Sequence, residues 1–193
     1  MKNDSTLYDF VFRGLLTEEA LDRAGRPRGG SLTGISEEIA SALNLAQMDE
    51  ELVGAAAIMG AVYTSIAAFE NSTRRFIAKV LVDAHGSDWW RTKVSEKIRT
   101  GAEARRTDEE RTKWHGRRGD DPINYTEMGQ LVDIMGQNWT DFEPHVRRLE
   151  WARELFGAVE RSRNVIMHSG TLELADIERL GMNMRDWIRQ IGV

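Results

Sequence analysis

The sequence predicts an all-α fold, a helical bundle that carries a short helical appendage at its N-terminus. Apolar residues recur at three-, four- and seven-residue spacings along most of the chain, which is typical of amphipathic helices. No stretch alternates apolar and polar residues over the length of a strand, and no repeat or low-complexity tract interrupts the pattern. We therefore expect residues 1–48 to form the appendage, with a glycine-rich hinge, and residues 49–193 to form the bundle.

The appendage is predicted to hold a short amphipathic helix over residues 5–24, in which Thr17 caps a second turn. Four glycines and one proline make Gly25–Gly34 a flexible loop, after which Ser36 caps a further helix. The apolar stripe of the first helix must dock on another surface. That surface is the chain's own bundle, a second subunit or a partner protein.

The longest uninterrupted helical pattern begins at Asp49, a good N-cap residue, and ends near Gly86. Its segment Leu52–Phe69 has 18 residues without a charge, the shortest length at which a membrane span must be considered. The segment is rich in alanine and glycine, contains three consecutive hydroxyl side chains and has no partner span, so we expect no membrane insertion. A stripe of small residues on this helix lets another helix approach closely, within the bundle or across a dimer axis: Gly54, Ala57 and Ala61.

Local start and stop signals predict the remaining elements. They are a helix that opens with a Thr107–Glu110 capping box and ends near Trp114, a loop over Gly116–Pro122, a helix capped by Thr126, a helix with Pro144 in its first turn, and a last helix over residues 174–191. Each helix presents apolar residues on one face, so together they supply the core of the bundle.

One stretch near the end of the chain, Glu160–Gly170, places an arginine, an asparagine and a histidine on one short piece of predicted helix. Asn164 and His168 are four residues apart and share a helix face. Arg163 and His168 are separated by about 140° around the helix axis, so they can flank one ligand without stacking on each other. The alternative is an ordinary bundle helix, ended by Gly170, with a solvated arginine and a histidine that caps the helix C-terminus.

The central segment, residues 91–118, is a basic island in an acidic chain. It holds 10 basic and 5 acidic residues, whereas the whole chain carries a formal net charge of -5. Trp89, Trp90 and Trp114 border it, and such a mixture of cations and tryptophans can hold a phosphate backbone and stack bases. The alternative is a solvated helical hairpin with two tryptophans in the core. The candidate residues for nucleic-acid binding are Arg105, Arg106, Arg117 and Arg118.

The chain lacks the residues that several other types of site require. The chain has 0 cysteines, which excludes a disulfide framework, a thiolate zinc site and a thiol nucleophile, and fits a reducing cytoplasm. No basic and apolar signal segment opens the sequence, so we expect a cytoplasmic protein. The 4 histidines have no metal-ligand spacing and there is no glycine-rich phosphate loop, so we expect no metal and no cofactor.

The stretch Arg163–His168, RNVIMH, resembles the R-x4-6-H signature of HEPN domains, all-α bundles many of whose members are metal-independent endoribonucleases. Further stretches resemble the HEPN branch first noticed at the C-terminus of a eukaryotic nuclear RNA-surveillance endonuclease. In chain order these are Asp88–Trp90, Arg118–Met135, Asn138–Trp139 and Asp186–Trp187. The resemblance covers roughly residues 50–192 and leaves residues 1–48 outside it.

The resemblance implies an endoribonuclease with Arg163, Asn164 and His168 at its catalytic site. It also implies that an acidic residue of the early long helix faces the motif helix, so we expect Glu70 near Arg163. Taken alone, Glu70 and Arg74 are four residues apart and make an ordinary surface ion pair. A single histidine cannot easily serve as both acid and base, so we expect two motif helices to pair in a homodimer with a composite site.

Two functions remain open for the chain as a whole. The first is a toxin-like or defence-associated endoribonuclease that cleaves single-stranded RNA or a tRNA loop. The second is a catalytically silent HEPN bundle that acts as an interaction or regulatory module. The expected partners are RNA, a second copy of the chain, and an antitoxin or defence-system protein bound through residues 1–48.

Overall fold

The structure is a computed structural model that describes Thr17 and residues 36–192. Within that part of the chain all regular structure is helical and there is no strand, so the predicted all-α fold is confirmed. The predicted helix over residues 5–24, apart from Thr17, and the predicted loop Gly25–Gly34 lie outside the described residues.

Eight α-helices follow one another in residues 36–192. They are α1 (Glu37–Ala42), α2 (Glu50–His85), α3 (Trp89–Lys93), α4 (Glu96–Arg111), α5 (Met128–Gln137), α6 (Trp139–Phe142), α7 (Leu149–Met167) and α8 (Leu174–Ile191), with short 3-10 helices at Leu45–Gln47 and Pro122–Tyr125. The bounds of α8 match the predicted last helix. The end of α2 also agrees with the prediction, because Gly86 follows it with a φ of 73°.

The chain divides into two compact units, Met1–Ala57 and Ile58–Val193, so the division falls within α2. In the first unit the predicted caps are present. The Oγ of Ser36 accepts a hydrogen bond from the backbone N–H of Ile39 at 3.3 Å, at the start of α1. The Oδ1 of Asp49 accepts two backbone N–H groups, at 2.9 and 3.3 Å, at the start of α2. The proposed domain boundary at residue 48 stays a prediction.

The core of the second unit is organised around the indole of Trp187 on α8, which is fully buried. Its ring meets Phe69 and Phe76 of α2, with centroids 6.4 and 6.1 Å away. It also stacks on Trp151 at 6.0 Å and meets Phe156 edge-on at 4.9 Å, both from α7. One side chain therefore joins α2, α7 and α8, which are far apart in sequence.

The predicted capping box of Thr107 and Glu110 is wrong, because both residues lie inside α4. This helix begins at Glu96, where the Ser95 carbonyl accepts the first backbone bonds. Buried Ile98 sits in the first turn of α4, so packing against the core extends the helix well before the local capping signal.

Two further helix starts differ from prediction. Glu127 caps α5 in a capping box with Gln130, since the hydroxyl of Thr126 donates instead to the Ile123 carbonyl at 2.7 Å. Pro144 lies in a turn, and α7 begins at Leu149. Burial of Val146 holds the intervening chain against the core, so the helix starts later than the proline suggests.

Among the described helices, α2 is long and apolar enough by length and composition to cross a membrane. Only 22% of its most apolar 18-residue window is buried. Leu52 and Ile58 are among the exposed apolar side chains on it. In the described part of the chain, the first half of α2 therefore exposes several apolar side chains although Met59, Val62 and Ile66 on it are buried. Its second half carries Phe69 and Phe76 into the core.

Trp187→Ala should lower the free energy of unfolding by about 3–5 kcal/mol, because it removes a buried ring from the junction of three helices. Trp114→Ala is the matched control, since Trp114 is 86% exposed. That change should stay within about 0.5 kcal/mol. Urea titration of both variants measures the difference, and equal losses would contradict the central role of Trp187.

Candidate active site

The motif residues lie on the last turns of α7. Leu155 and Val159 bury the inner face of this helix, as the apolar spacing predicts. On the other faces, the side chain of Arg163 is 38% exposed, and Asn164 and His168 are exposed. The core therefore fixes the helix while the three polar side chains remain open to a ligand.

Glu70 of α2 lies beside Arg163, where the resemblance placed it. Its Oε2 is 3.8 Å from Nε of Arg163, and its Oε1 pairs with Nη2 of Arg74. The side chains of Glu70 and Arg74 are only 12% and 13% exposed, so their interpretation as a surface pair is wrong. A carboxylate this buried requires a compensating cation, and Arg74 supplies it.

Arg74 also fixes the chain before α5, since its Nη2 donates to the Thr126 carbonyl at 3.1 Å. The preceding carbonyl, that of Tyr125, accepts a hydrogen bond from Nη1 of Arg105 at 2.8 Å. Two neighbouring carbonyls thus receive arginines from α2 and α4. This junction connects the basic segment to the ion pairs beside Arg163.

The end of α7 determines where His168 stands. His168 is the C-cap residue, and Ser169 follows with a φ of 60°, in the left-handed region. The backbone N–H of Ser169 donates to the Ile166 carbonyl at 3.0 Å, and that of Gly170 to the Val165 carbonyl at 2.8 Å. These two bonds form a Schellman motif, in which Ser169 occupies the left-handed position that glycine usually holds.

Gly170 is required by a close approach. A Cβ at this position would lie 2.7 Å from Cγ1 and 2.9 Å from the carbonyl oxygen of Val165. Two residues therefore end the helix, where the sequence predicted Gly170 alone. Ser169 reverses the chain direction, and the absence of a side chain at Gly170 allows the backbone to pack close to the last turn. The result leaves the His168 imidazole on the surface at the helix C-terminus.

The side chain of Arg163 lies beside that of Glu70 but makes no bond to the side chains of Asn164 and His168. Among the described residues, no hydrogen bond or ion pair connects the side chains of Arg163, Asn164 and His168. The arrangement has a partly exposed guanidinium, braced on one side by a carboxylate, and a separate exposed imidazole. These groups can place positive charge and a proton donor or acceptor at one surface.

The four candidate arginines of the basic segment differ in environment. Arg105 is half-buried and pairs with Glu127, Arg106 lies 3.3 Å from Glu110, and Arg118 lies 2.7 Å from Glu109. Arg117 is exposed and has no ion-pair partner in the described part of the chain. Its positive charge is the least compensated of the four.

The three tryptophans near this segment also differ. Trp89 is buried and Trp90 half-buried, with their rings edge-on at 5.6 Å, so the ring of Trp89 is not open to a base. Trp114 is exposed. Within residues 36–192 and at Thr17, no group of three histidine, aspartate or glutamate side chains is arranged to hold a metal ion.

Sequence reasoning named Glu70 and its pair with Arg74, but it missed two features of the site: the burial of that pair and the Thr126 carbonyl that accepts Arg74. The spacing of Glu70 and Arg74 shows that they can pair, but not that the pair is buried. The Thr126 carbonyl carries no sequence signal as an acceptor, because every residue has a carbonyl group. Tertiary packing alone gives both their roles.

Glu70→Gln should lower the free energy of unfolding by about 3 kcal/mol, because it leaves Arg74 buried without a counterion. Asp133→Asn is the matched control. Its pair with Arg153 has the same type of contact, at 3.0 Å, but both side chains are about half exposed. Its loss should cost less than about 1 kcal/mol. Chemical denaturation compares the two, and similar losses would contradict the buried pair.

Comparison with known proteins identifies the family of the helical bundle. Residues 65–192, about two thirds of the 193-residue chain, match the family described as Swt1-like HEPN. HEPN domains are helical and are often ribonucleases, which supports a nuclease function at a coarse level. No curated protein and no solved structure matches the chain. With most of its length matched and an all-helical fold, the chain belongs to the Swt1-like HEPN family.

Proposed function

We propose that this protein is a metal-independent endoribonuclease of the HEPN type, in which Arg163, Asn164 and His168 are the catalytic residues. The observation that carries the proposal is the placement of Arg163. Its guanidinium is partly exposed and braced by the buried carboxylate of Glu70, while His168 is exposed at the end of the same helix. A guanidinium held in place in this way is suited to stabilising charge that develops on a phosphate.

The reaction forms one phosphorus–oxygen bond, breaks another and transfers two protons. A histidine accepts the proton of the ribose 2′-hydroxyl, and the 2′-oxygen attacks the adjacent phosphorus. The bond from phosphorus to the 5′-oxygen breaks, and a protonated histidine donates its proton to that oxygen. The products are a 2′,3′-cyclic phosphate and a 5′-hydroxyl. Arg163 stabilises the negative phosphorane oxygens, and Asn164 orients the imidazole or the substrate.

We further propose that the working site belongs to a homodimer. The motif of one chain contains one histidine, whereas the reaction uses a base and an acid at the same time. Two α7 helices related by a two-fold axis would bring two copies of His168 and Arg163 around one phosphate. The exposed apolar surface on the first half of α2, where Gly54, Ala57 and Ala61 lie, offers a surface for close helix pairing.

The proposed substrate is single-stranded RNA or a tRNA loop, held in part by Arg105, Arg106, Arg117 and Arg118. Toxin-like activity or a role in antiviral defence fits a small ribonuclease that requires no cofactor. We place the protein in the cytoplasm, with an antitoxin or defence-system partner acting through residues 1–48.

A second candidate function is a catalytically silent HEPN bundle that serves as an interaction module. The observation that favours it is the exposure of apolar side chains on α2, Leu52 and Ile58 among them. Large exposed apolar surfaces often mark a protein interface. The two functions differ in one measurable respect, which is whether the exposed imidazole of His168 is needed for turnover.

His168→Ala and Arg163→Ala should each lower the rate of RNA cleavage by about 10² or more, the first through lost proton transfer and the second through lost charge stabilisation. The measurement is cleavage of total RNA and of a labelled single strand, with EDTA present. Product ends should be 2′,3′-cyclic phosphate and 5′-hydroxyl.

His145→Ala is the matched control, because His145 is also exposed but lies outside the motif. It should cleave as the wild type does. If the wild type cleaves no RNA, or His168→Ala cleaves equally well, the silent interaction module replaces the nuclease.

Mixing wild-type chains with an excess of His168→Ala chains should lower the cleavage rate per wild-type chain. A composite site in such a mixed dimer holds only one of the two histidines that serve as base and acid. Light scattering at micromolar concentration should show a dimer. A monomeric wild type that still cleaves RNA would show that one chain suffices.

A further inference from the structure

The segment between α4 and the Pro122–Tyr125 helix, residues 112–121, is referred to below as the tryptophan loop. Trp114 in this loop is 86% exposed, the highest exposure of any large apolar side chain among the described residues. Its ring contacts the imidazole of His115 edge-on, with centroids 5.7 Å apart. A tryptophan exposed to this extent contributes little to the fold, so its ring is available to a ligand.

The loop is anchored at its base, although its tip is exposed. The carboxylate of Glu109 lies 2.7 Å from the Arg118 guanidinium and accepts the backbone N–H of Arg118 at 3.1 Å. The Tyr125 hydroxyl donates to the Gly119 carbonyl at 3.1 Å. Burial raises the pKa of that hydroxyl, and the charge of Glu109 acts in the same direction, so it stays protonated and able to donate.

Further contacts limit the freedom of the loop. Gly119 has a φ of 150°, and a side chain there would overlap the amide of Asn124. Near the tip, the backbone N–H of His115 donates to the Thr112 carbonyl at 3.0 Å. A loop held at these points presents an aromatic ring with little loss of conformational entropy when a ligand binds.

The charges beside Trp114 favour an anionic ligand. Lys113 and Arg117 are exposed and form no ion pair within the described residues. The acidic residues of the loop, Asp120 and Asp121, follow Arg118, and none occurs between positions 112 and 118. Arg105, Arg106 and Arg118 each have a carboxylate partner. An exposed aromatic ring with two nearby cations in sequence that form no ion pair in the described residues matches the base and phosphates of a single-stranded nucleic acid.

The loop is also connected to the motif site through consecutive residues. Tyr125 holds the loop with its hydroxyl and accepts Arg105 of α4 with its carbonyl. The next carbonyl, that of Thr126, accepts Arg74, which pairs with Glu70 beside Arg163. The backbone of Tyr125 and Thr126, together with the side chains of Arg74 and Glu70, therefore connects the base of the loop to Arg163.

We propose that the tryptophan loop is the substrate-docking element of the protein. Trp114 stacks on an unpaired base, and Lys113 and Arg117 hold the adjoining phosphates. The proposal rests on the ribonuclease function proposed above and narrows its substrate to RNA with an unpaired base on one side of the cleaved bond. In a duplex that base is already stacked on its neighbours, so its face is not available to the indole.

Binding is measured first without cleavage, on the full chain carrying His168→Ala. The probes are a labelled 12-nucleotide oligouridylate and the same strand paired to its complement. Adding Trp114→Ala should weaken binding to the single strand by about 10-fold or more, whereas Trp114→Phe should retain most of the affinity. Arg117→Gln should lower the slope of log affinity against log salt by about 0.7–1.

Met182→Ala is the matched control, because Met182 is an exposed apolar residue on α8. It should bind the single strand as the parent does. A Trp114→Ala chain that binds equally well would overturn the proposal, as would a parent chain that binds the duplex as tightly as the single strand. If Trp114→Ala leaves RNA binding unchanged but abolishes binding of a protein partner, the loop serves that partner instead.

Cleavage by the chain with intact His168 separates this proposal from the ribonuclease proposal. Trp114→Ala should raise KM for the 12-nucleotide strand about 10-fold and leave kcat unchanged, since stacking occurs away from the reacting bond. Absence of cleavage by the wild type would refute the ribonuclease, while the binding measurements still test the loop.

Discussion

The buried carboxylate of Glu70 is the interaction on which the site depends. A carboxylate removed from water needs nearby cations and hydrogen-bond donors, or its burial costs several kcal/mol. Arg74, one turn further along α2, engages one of its oxygens and leaves the other beside Arg163 on α7. Because Arg74 is also largely buried and hydrogen-bonded to Thr126, the carboxylate has little freedom to move. The position of the motif arginine is therefore set by an ion pair on another helix.

The same constraint extends to the basic segment. Tyr125 and Thr126 present adjacent carbonyls to Arg105 and Arg74, so arginines from α4 and α2 converge on one short piece of backbone. Arginine suits this role because its planar guanidinium donates in several directions and keeps its charge when buried. Basic residues in this part of the chain consequently serve two purposes. Arg105 holds the structure together, while Arg117 remains uncompensated and available to a ligand.

The positions of Arg163 and His168 along α7 explain why their side chains have different surroundings. Arg163 lies within α7 beside Glu70, whereas His168 stands at the end of the helix, where the chain reverses through Ser169 and Gly170. A partly exposed guanidinium beside a buried carboxylate suits charge stabilisation, and an exposed imidazole at the helix end suits proton transfer.

The sequence by itself determined the helical fold, the caps at Ser36 and Asp49, the extent of α8, and the grouping of Arg163, Asn164 and His168 on one helix. These follow from periodicity and short-range hydrogen bonds, which neighbouring residues fix. Tertiary structure decided where α4 and α7 begin, because burial of Ile98 and Val146 outweighs local capping signals, whereas a local capping box of Glu127 and Gln130 starts α5. It also buried the Glu70–Arg74 pair and Trp89 while exposing Trp114. Burial and long-range packing depend on contacts between residues that are distant in sequence, so the spacing of residues along the chain does not predict them.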